Sequence, residues 1–278
     1  MKIKANAKVN LVLDVVRRME NGYHELDMIM VPLSLCDVLD VSIAKEDKIV
    51  CGEADFPLDE SNTIYKAILL MRERFNLKEH FHVEVDKKIP MQAGMAGGSA
   101  DGAAMLKAII QLCNLEVREE EMILIAKKIG ADVPFCYINE ASRVQGIGEK
   151  VRRFKIHCPF YMLLVKPEQG VSTGLAFKGI DFNTCIHPNV DKMEKALIEN
   201  DYETFIATLG NTLEQSAFEI TPVIKDIKQE LKDLGMDGVL MSGSGSTVFA
   251  ITRDKEVLRK AKEIMLPKYA FVSECQIL

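Results

Sequence analysis

One stretch limits what this chain can fold into more than any other. Residues 90–104 read Pro-Met-Gln-Ala-Gly-Met-Ala-Gly-Gly-Ser-Ala-Asp-Gly-Ala-Ala. Before them, Phe81–Ile89 alternates, with Phe81, Val83 and Val85 on one face and His82, Glu84 and Asp86 on the other, and predicts a strand. After them, Met105–Cys113 carries apolar residues at helical spacing. Strand, glycine loop and helix in that order bring unobstructed backbone N–H groups and the positive end of a helix dipole to one place. Such a place suits a phosphate. Gly94, Gly97 and Gly98 allow close approach, and Ser99 adds a hydroxyl where the helix begins. Small residues at Ala100, Gly102, Ala103 and Ala104 let that helix pack tightly. No Gly-Lys-Ser/Thr follows and no G-x-G-x-x-G spacing occurs, so neither a Walker loop nor a dinucleotide fingerprint is present. A plain glycine turn between strand and helix is the alternative reading.

The other elements place this loop. Residues 2–16 read as a strand, with Val9, Leu11, Leu13 and Val15 on one side, and Asn21–Gly22 marks a turn. Met28–Leu35 and Asp37–Ala44 read as two strands broken near Pro32. Helices are expected at Asn62–Phe75, Glu119–Ile129, Asp191–Ile198, Tyr202–Thr208, Thr221–Leu234 and Lys255–Met265. Tyr161–Val165 reads as a buried strand, and Val239–Met241 and Thr247–Ile251 as strands flanking Ser242-Gly-Ser-Gly-Ser246. The fold class is α+β, in two lobes, 1–156 and 157–278.

Bulk properties exclude several classes. The 278 residues carry a net charge of −6 and no basic stripe, which argues against a nucleic-acid partner. The pairs Lys87–Lys88, Lys127–Lys128 and Arg152–Arg153 read as solvated faces. Seven irregularly spaced cysteines, without a CxxC, predict free thiols and fit a reducing cytoplasm. No apolar run approaches the roughly 20 residues of a membrane helix, and Met1–Asn10 lacks the apolar core of a signal peptide. The expectation is a cytoplasmic protein with no membrane partner, monomeric or homodimeric.

Residues 90–100 resemble the phosphate loop of the GHMP small-molecule kinases, with Met95 for the usual Leu and Ala96 where Gly is commoner. Ala5–Leu11 resembles that family's N-terminal motif, and Leu240–Phe249 its C-terminal glycine motif. The resemblance implies an N-terminal lobe like ribosomal protein S5 domain 2 and a ferredoxin-like C-terminal lobe. It implies ATP on Pro90, Met91, Gln92, Ala93, Gly94, Met95, Ala96, Gly97, Gly98, Ser99 and Ala100, with Mg2+ arriving on the nucleotide. Lys8-Val-Asn10, Asn21-Gly-Tyr-His24, Gly130-Ala-Asp-Val-Pro134 and Val171-Ser-Thr173 resemble the branch that phosphorylates the 2-hydroxyl of a cytidine diphosphate sugar alcohol.

Each further site residue has two readings. Asp132 matches the family's general base; by spacing alone it is a turn residue capping the next segment. Lys8 matches the lysine that favours the acceptor alkoxide; by composition alone it is a strand lysine reaching for water. Tyr23 and His24 match a cytidine-binding pair, with Phe177 a third aromatic; otherwise Tyr23 and Phe177 are core residues and His24 belongs to a surface turn. Asn10 and Thr173 would hydrogen-bond the acceptor. Asn62 would approach the adenine, or is simply a helix N-cap. Gly243-Ser-Gly245 buttresses the phosphate loop or forms a tight hairpin. His80, His82, His157 and His187 show no ligand spacing, so no protein metal cage is expected. Two other functions remain open: a related kinase acting on homoserine, mevalonate or a sugar, and a nucleotide-binding module without catalysis.

Overall fold

A computed structural model describes residues 1–278. The contacts group them into two compact units. The first holds Met1–Ala7, Leu35–Ile89 and Ala96–Asn139; the second holds Lys8–Ser34, Pro90–Met95 and Glu140–Leu278. Strands β1 (Lys2–Arg18) and β2 (His24–Ala44) each contribute residues to both.

The first unit adds β3 (Lys48–Cys51), α1 (Thr63–Phe75), β4 (His80–Asp86), α2 (Gly97–Leu112), α3 (Glu119–Ile129) and α4 (Val133–Ile138). Its strand order is β3-β4-β2-β1, with β4 antiparallel to β2 from Val38↔Asp86 to Ala44↔His80. The alternation read in Phe81–Ile89 is real: Phe81, Val83 and Val85 are buried. Helix α1 begins where its sequence can cap it, since Asn62 accepts from the Ile64 N–H at 2.8 Å. It stops at Asn76 in the left-handed region, φ 52°. Helix α2 starts two residues earlier than its first hydroxyl, Ser99, and packs on α1, α3 and α4 through its small face.

The second unit continues with β5 (Ser142–Gly146), β6 (Lys150–Arg153), β7 (Tyr161–Lys166), α5 (Thr173–Lys178), α6 (Val190–Glu199), α7 (Tyr202–Ala207), β8 (Gly210–Asn211), α8 (Glu214–Ile220), α9 (Val223–Asp233), β9 (Gly238–Met241), β10 (Val248–Thr252), α10 (Lys255–Met265) and β11 (Phe271–Cys275). Its four-stranded antiparallel sheet has the order β11-β7-β10-β9, the ferredoxin-like order expected from the resemblance. Helices α9 and α10 pack on this sheet.

Two expectations are corrected. Pro32 does not break a strand: β2 runs unbroken from His24 to Ala44. Proline lacks only the N–H, and its carbonyl still accepts from Leu278 N at 3.1 Å. Lys87–Lys88 is not a solvated pair either. The Lys87 side chain is 5% exposed, between buried aspartates, whereas Lys88 is 58% exposed.

Phe249 is fully buried at the centre of the four-stranded sheet, with β7 and β9 on either side. Phe249→Ala leaves a cavity there and is expected to lower the unfolding free energy by about 3–5 kcal/mol, read as a lower midpoint in urea.

Candidate functional site

The glycine segment buries the Met95 side chain, and contacts to its main chain set the rest of its shape. In the second unit, Gly94 sits at φ 71° against the β9–β10 turn. Ser242 Oγ donates to the Gly94 carbonyl at 3.0 Å, and Thr247 N donates to the Ala93 carbonyl at 3.3 Å. A Cβ at Gly94 would overlap the Ser242 carbonyl oxygen. The turn that receives it uses left-handed glycines at Gly243 and Gly245, φ 55° and 88°. Thus Gly243-Ser-Gly245 is both the hairpin connection and a buttress for Gly94. Asn211, at the end of β8, braces the turn by donating to the Met241 and Gly243 carbonyls at 2.9 and 2.8 Å. Nothing in the sequence marks Asn211 for this role.

Lys8 lies in the same unit and is 4% exposed on β1. Its backbone N–H donates to the Met95 carbonyl at 3.2 Å, and its ammonium donates to Asn10 Oδ1 at 2.7 Å. Asn10 in turn points its amide at Met28 Sδ, 3.2 Å away. Lys8 and Asn10 are therefore joined, and Lys8 is no strand-edge lysine reaching for water. Thr173 begins α5, and its hydroxyl lies 2.8 Å from that of Ser244 in the glycine turn.

Rings gather further along this unit. His24 stands 5.0 Å from Phe177 and 6.1 Å from Phe182, nearly parallel to the latter. Burial, helped by Arg18, holds the His24 imidazole below its ordinary pKa. Tyr23 does not join this cluster; it is 61% exposed in the turn, its N–H held by Asn21 Oδ1 at 3.1 Å. Phe182 is the ring the sequence reading missed, because nothing in its own segment distinguishes it from a loop aromatic.

In the first unit the loop becomes helix. Ala96 precedes α2 in the left-handed region, φ 57°, and no side chain caps the helix. The N–H groups of the first turn are therefore available to a ligand. Thr63 Oγ1 donates to the Gly98 carbonyl at 2.5 Å. Asn62 is an N-cap whose amide also donates to the Pro57 carbonyl at 2.5 Å, so both ends of its side chain are engaged within the chain. Asp132 precedes α4, and its carboxylate makes no cap hydrogen bond to that helix. Ser99 Oγ lies close to Gly130, two residues before Asp132.

The family models for the GHMP kinases' N-terminal and C-terminal domains match residues 62–140 and 193–270. The chain belongs to the GHMP kinase family. It is 39% identical, over 251 residues, to the 4-diphosphocytidyl-2-C-methyl-D-erythritol kinases of Bacillus cereus (strain B4264) and Bacillus mycoides (strain KBAB4), covering 90% of this chain and 87% of each relative. Among solved structures it is similar to a 4-(cytidine 5'-diphospho)-2C-methyl-D-erythritol kinase, with a TM-score of 0.82, 29% identity, and 99% and 98% of the two chains covered. A homoserine kinase from Cytophaga hutchinsonii shares the fold, with a TM-score of 0.78, 19% identity, and 99% and 95% coverage.

Two glycine substitutions separate structure from ligand. At Gly94 an alanine has no room, so Gly94→Ala is expected to lower the melting temperature by several degrees, at a cost above about 1 kcal/mol. At Gly98 the nearest atom to an added Cβ is Thr63 Oγ1 at 3.9 Å, so Gly98→Ala should melt at or slightly above the wild-type temperature.

Proposed function

We infer that this chain catalyses ATP-dependent phosphorylation of the 2-hydroxyl of 4-diphosphocytidyl-2-C-methyl-D-erythritol, a step of the non-mevalonate route to isoprenoid precursors. One observation carries the inference: across 90% of its length the chain is 39% identical to kinases named for that acceptor. The local geometry supports it. A glycine turn is held by backbone contacts, an uncapped helix start follows it, and a buried lysine is anchored to the carbonyl of Met95.

In this reading the acceptor oxygen attacks the γ-phosphorus, the bond to the bridging β–γ oxygen breaks, and ADP leaves. Such a transfer needs positioning and charge neutralisation more than covalent help. Asp132 takes the hydroxyl proton as the new bond forms. The Lys8 ammonium favours the developing alkoxide, and its bond to Asn10 fixes its direction. Mg2+ enters as part of the nucleotide substrate. His24 and Phe177, with Phe182 added, offer faces to a cytosine ring, and Tyr23 stands beside them in sequence. Asn10 and Thr173 would hold acceptor hydroxyls, and Asn62 would act at the adenine only by positioning the start of α1, since its side chain and its main-chain N–H and C=O are all hydrogen-bonded within the chain. The division into lobes 1–156 and 157–278 belongs to the same proposal; the two family models match on either side of it. No helix of the chain is long and apolar enough to cross a membrane, and a cytoplasmic location is part of the proposal.

Asp132→Asn and Lys8→Met are each expected to lower kcat by at least about 100-fold while leaving the circular-dichroism melt unchanged. ADP release measured with ATP, Mg2+ and a panel of acceptors tests the substrate. Turnover is expected with 4-diphosphocytidyl-2-C-methyl-D-erythritol, and turnover with homoserine or mevalonate alone would refute the assignment. Gly98→Ala, harmless to the fold, is expected to raise KM for ATP about tenfold or more.

The lowered pKa of His24 gives a pH test. A group held below its ordinary value stays neutral until pH falls through that lowered value. KM for the acceptor is therefore expected to be flat from pH 8 to about 6.5 and to rise only below that. His24→Gln should remove the rise.

A further inference from the structure

We propose that the buried Lys87–Asp37–Asp101 triad sets the charge behind the first turn of α2, and that nucleotide phosphates binding at that turn draw a proton from solvent onto Asp101. The inference rests on the phosphate-binding reading of the glycine loop.

The geometry comes first. Lys87 follows β4, and its ammonium pairs with Asp37 Oδ2 and, at 3.2 Å, with Asp101 Oδ2. Both carboxylates have 0% side-chain exposure. Asp37 is satisfied on both oxygens, because its Oδ1 accepts from Lys88 N and Ile89 N at 2.6 and 2.8 Å. Asp101 is not: its Oδ1 is buried with no hydrogen-bond partner. A Cβ on Gly97 would lie 2.9 Å from the Lys87 nitrogen, so the triad sits directly behind the first residue of α2.

The charge count follows. Two carboxylates and one ammonium sum to one negative charge in a buried place, which is costly. That charge also opposes phosphates at the helix start, where the dipole favours anions. One proton on Asp101 removes both penalties and gives the orphan carboxyl a donor. Burial pushes the Asp101 carboxyl up to about 7, with Lys87 opposing the shift and Asp37 adding to it. Burial works against the Lys87 charge, but Asp101 and Asp37 hold that ammonium above its ordinary value. On the strand side, Lys4 and Asp86 act on the thiol of Cys36, next to Asp37, and Lys88 pairs with Asp86 at the surface. Thr63 of α1 and Ile129 of α3 meet Gly102, and the titratable Tyr137 of α4 faces Lys107 instead.

Incoming phosphates add negative potential and raise Asp101's hold on its proton. By linkage, the protonated form binds nucleotide better, so affinity is full below Asp101's folded value and declines as pH rises through it.

Calorimetric titration of the whole chain with ADP at pH 8, in two buffers of different ionisation enthalpy, counts the protons taken up. At that pH the nucleotide's own phosphates are ionised, so the count belongs to the protein. Wild type is expected to take up roughly half a proton or more per ADP, and Asp101→Asn none. Equal counts in the two proteins, or no uptake by wild type, overturn the proposal while leaving the phosphate site intact. Should Asp101→Asn fail to fold, the wild-type count decides alone. No ADP binding by wild type removes the phosphate-loop reading itself, and this proposal with it.

Discussion

At Gly94, backbone rests on backbone. The Ser242 carbonyl oxygen stands where a Cβ on Gly94 would lie, and the Ser242 hydroxyl, 148 residues away along the chain, donates to the Gly94 carbonyl. Much of the second unit's site depends on that approach. It fixes Met95, whose carbonyl receives the Lys8 N–H, and so fixes the stretch of β1 that carries Lys8 and Asn10. It also requires the β9–β10 turn to adopt left-handed geometry at two glycines, which Asn211 then braces from the side. A single methyl group at Gly94 would disturb this whole series, because the obstacle is a carbonyl oxygen and not a side chain that can swing aside.

Buried charge is handled differently around two lysines. Lys8 is held along β1, by a main-chain bond and by the Asn10 amide, which gives its ammonium a direction. Lys87 is clamped by two aspartates, and it touches the helix start from behind. The first arrangement suits a cation that acts on a substrate. The second suits a cation that shapes a surface it never shows to solvent. A chain that uses backbone N–H groups to bind phosphate needs both, because the N–H groups supply position but little net charge.

Periodic elements were legible. Glu119–Ile129 and Lys255–Met265 form helices at the residues read from sequence, because one apolar stripe and terminal charges define each. The glycine loop was legible as a strand-to-helix junction for the same local reason. What failed depended on distant residues. Pro32 looks like a break until the C-terminal residues Gln276 and Leu278 bond to the strand around it. Lys87 looks like half of a solvated pair until Asp37, 50 residues earlier, is brought against it. The short α5 and α8 and the two-residue β8 carry too few turns for periodicity to register. At the site, Lys8 and Asp132 were picked out by resemblance, since spacing alone favoured bland readings of both.

A phosphate cradle does not specify an acceptor, and in the proposed function that task falls to the ring cluster. The Asn21–Gly22 turn places two aromatic-type residues side by side in sequence but sends them to different environments. Tyr23 faces solvent, and its N–H serves the turn. His24 starts β2 and meets Phe177 and Phe182. The split falls at the boundary between turn and strand, since Tyr23 precedes β2 and His24 is its first residue. A charged imidazole among those rings would lose solvation, and burial accordingly lowers the His24 pKa from its ordinary value. A neutral imidazole offers one donor and one acceptor, which can read the edge of an uncharged base while the phenyl rings cover its face. In the proposed function, cytidine recognition falls to His24, whose titration is set by its packing, while Tyr23 faces solvent and serves the turn.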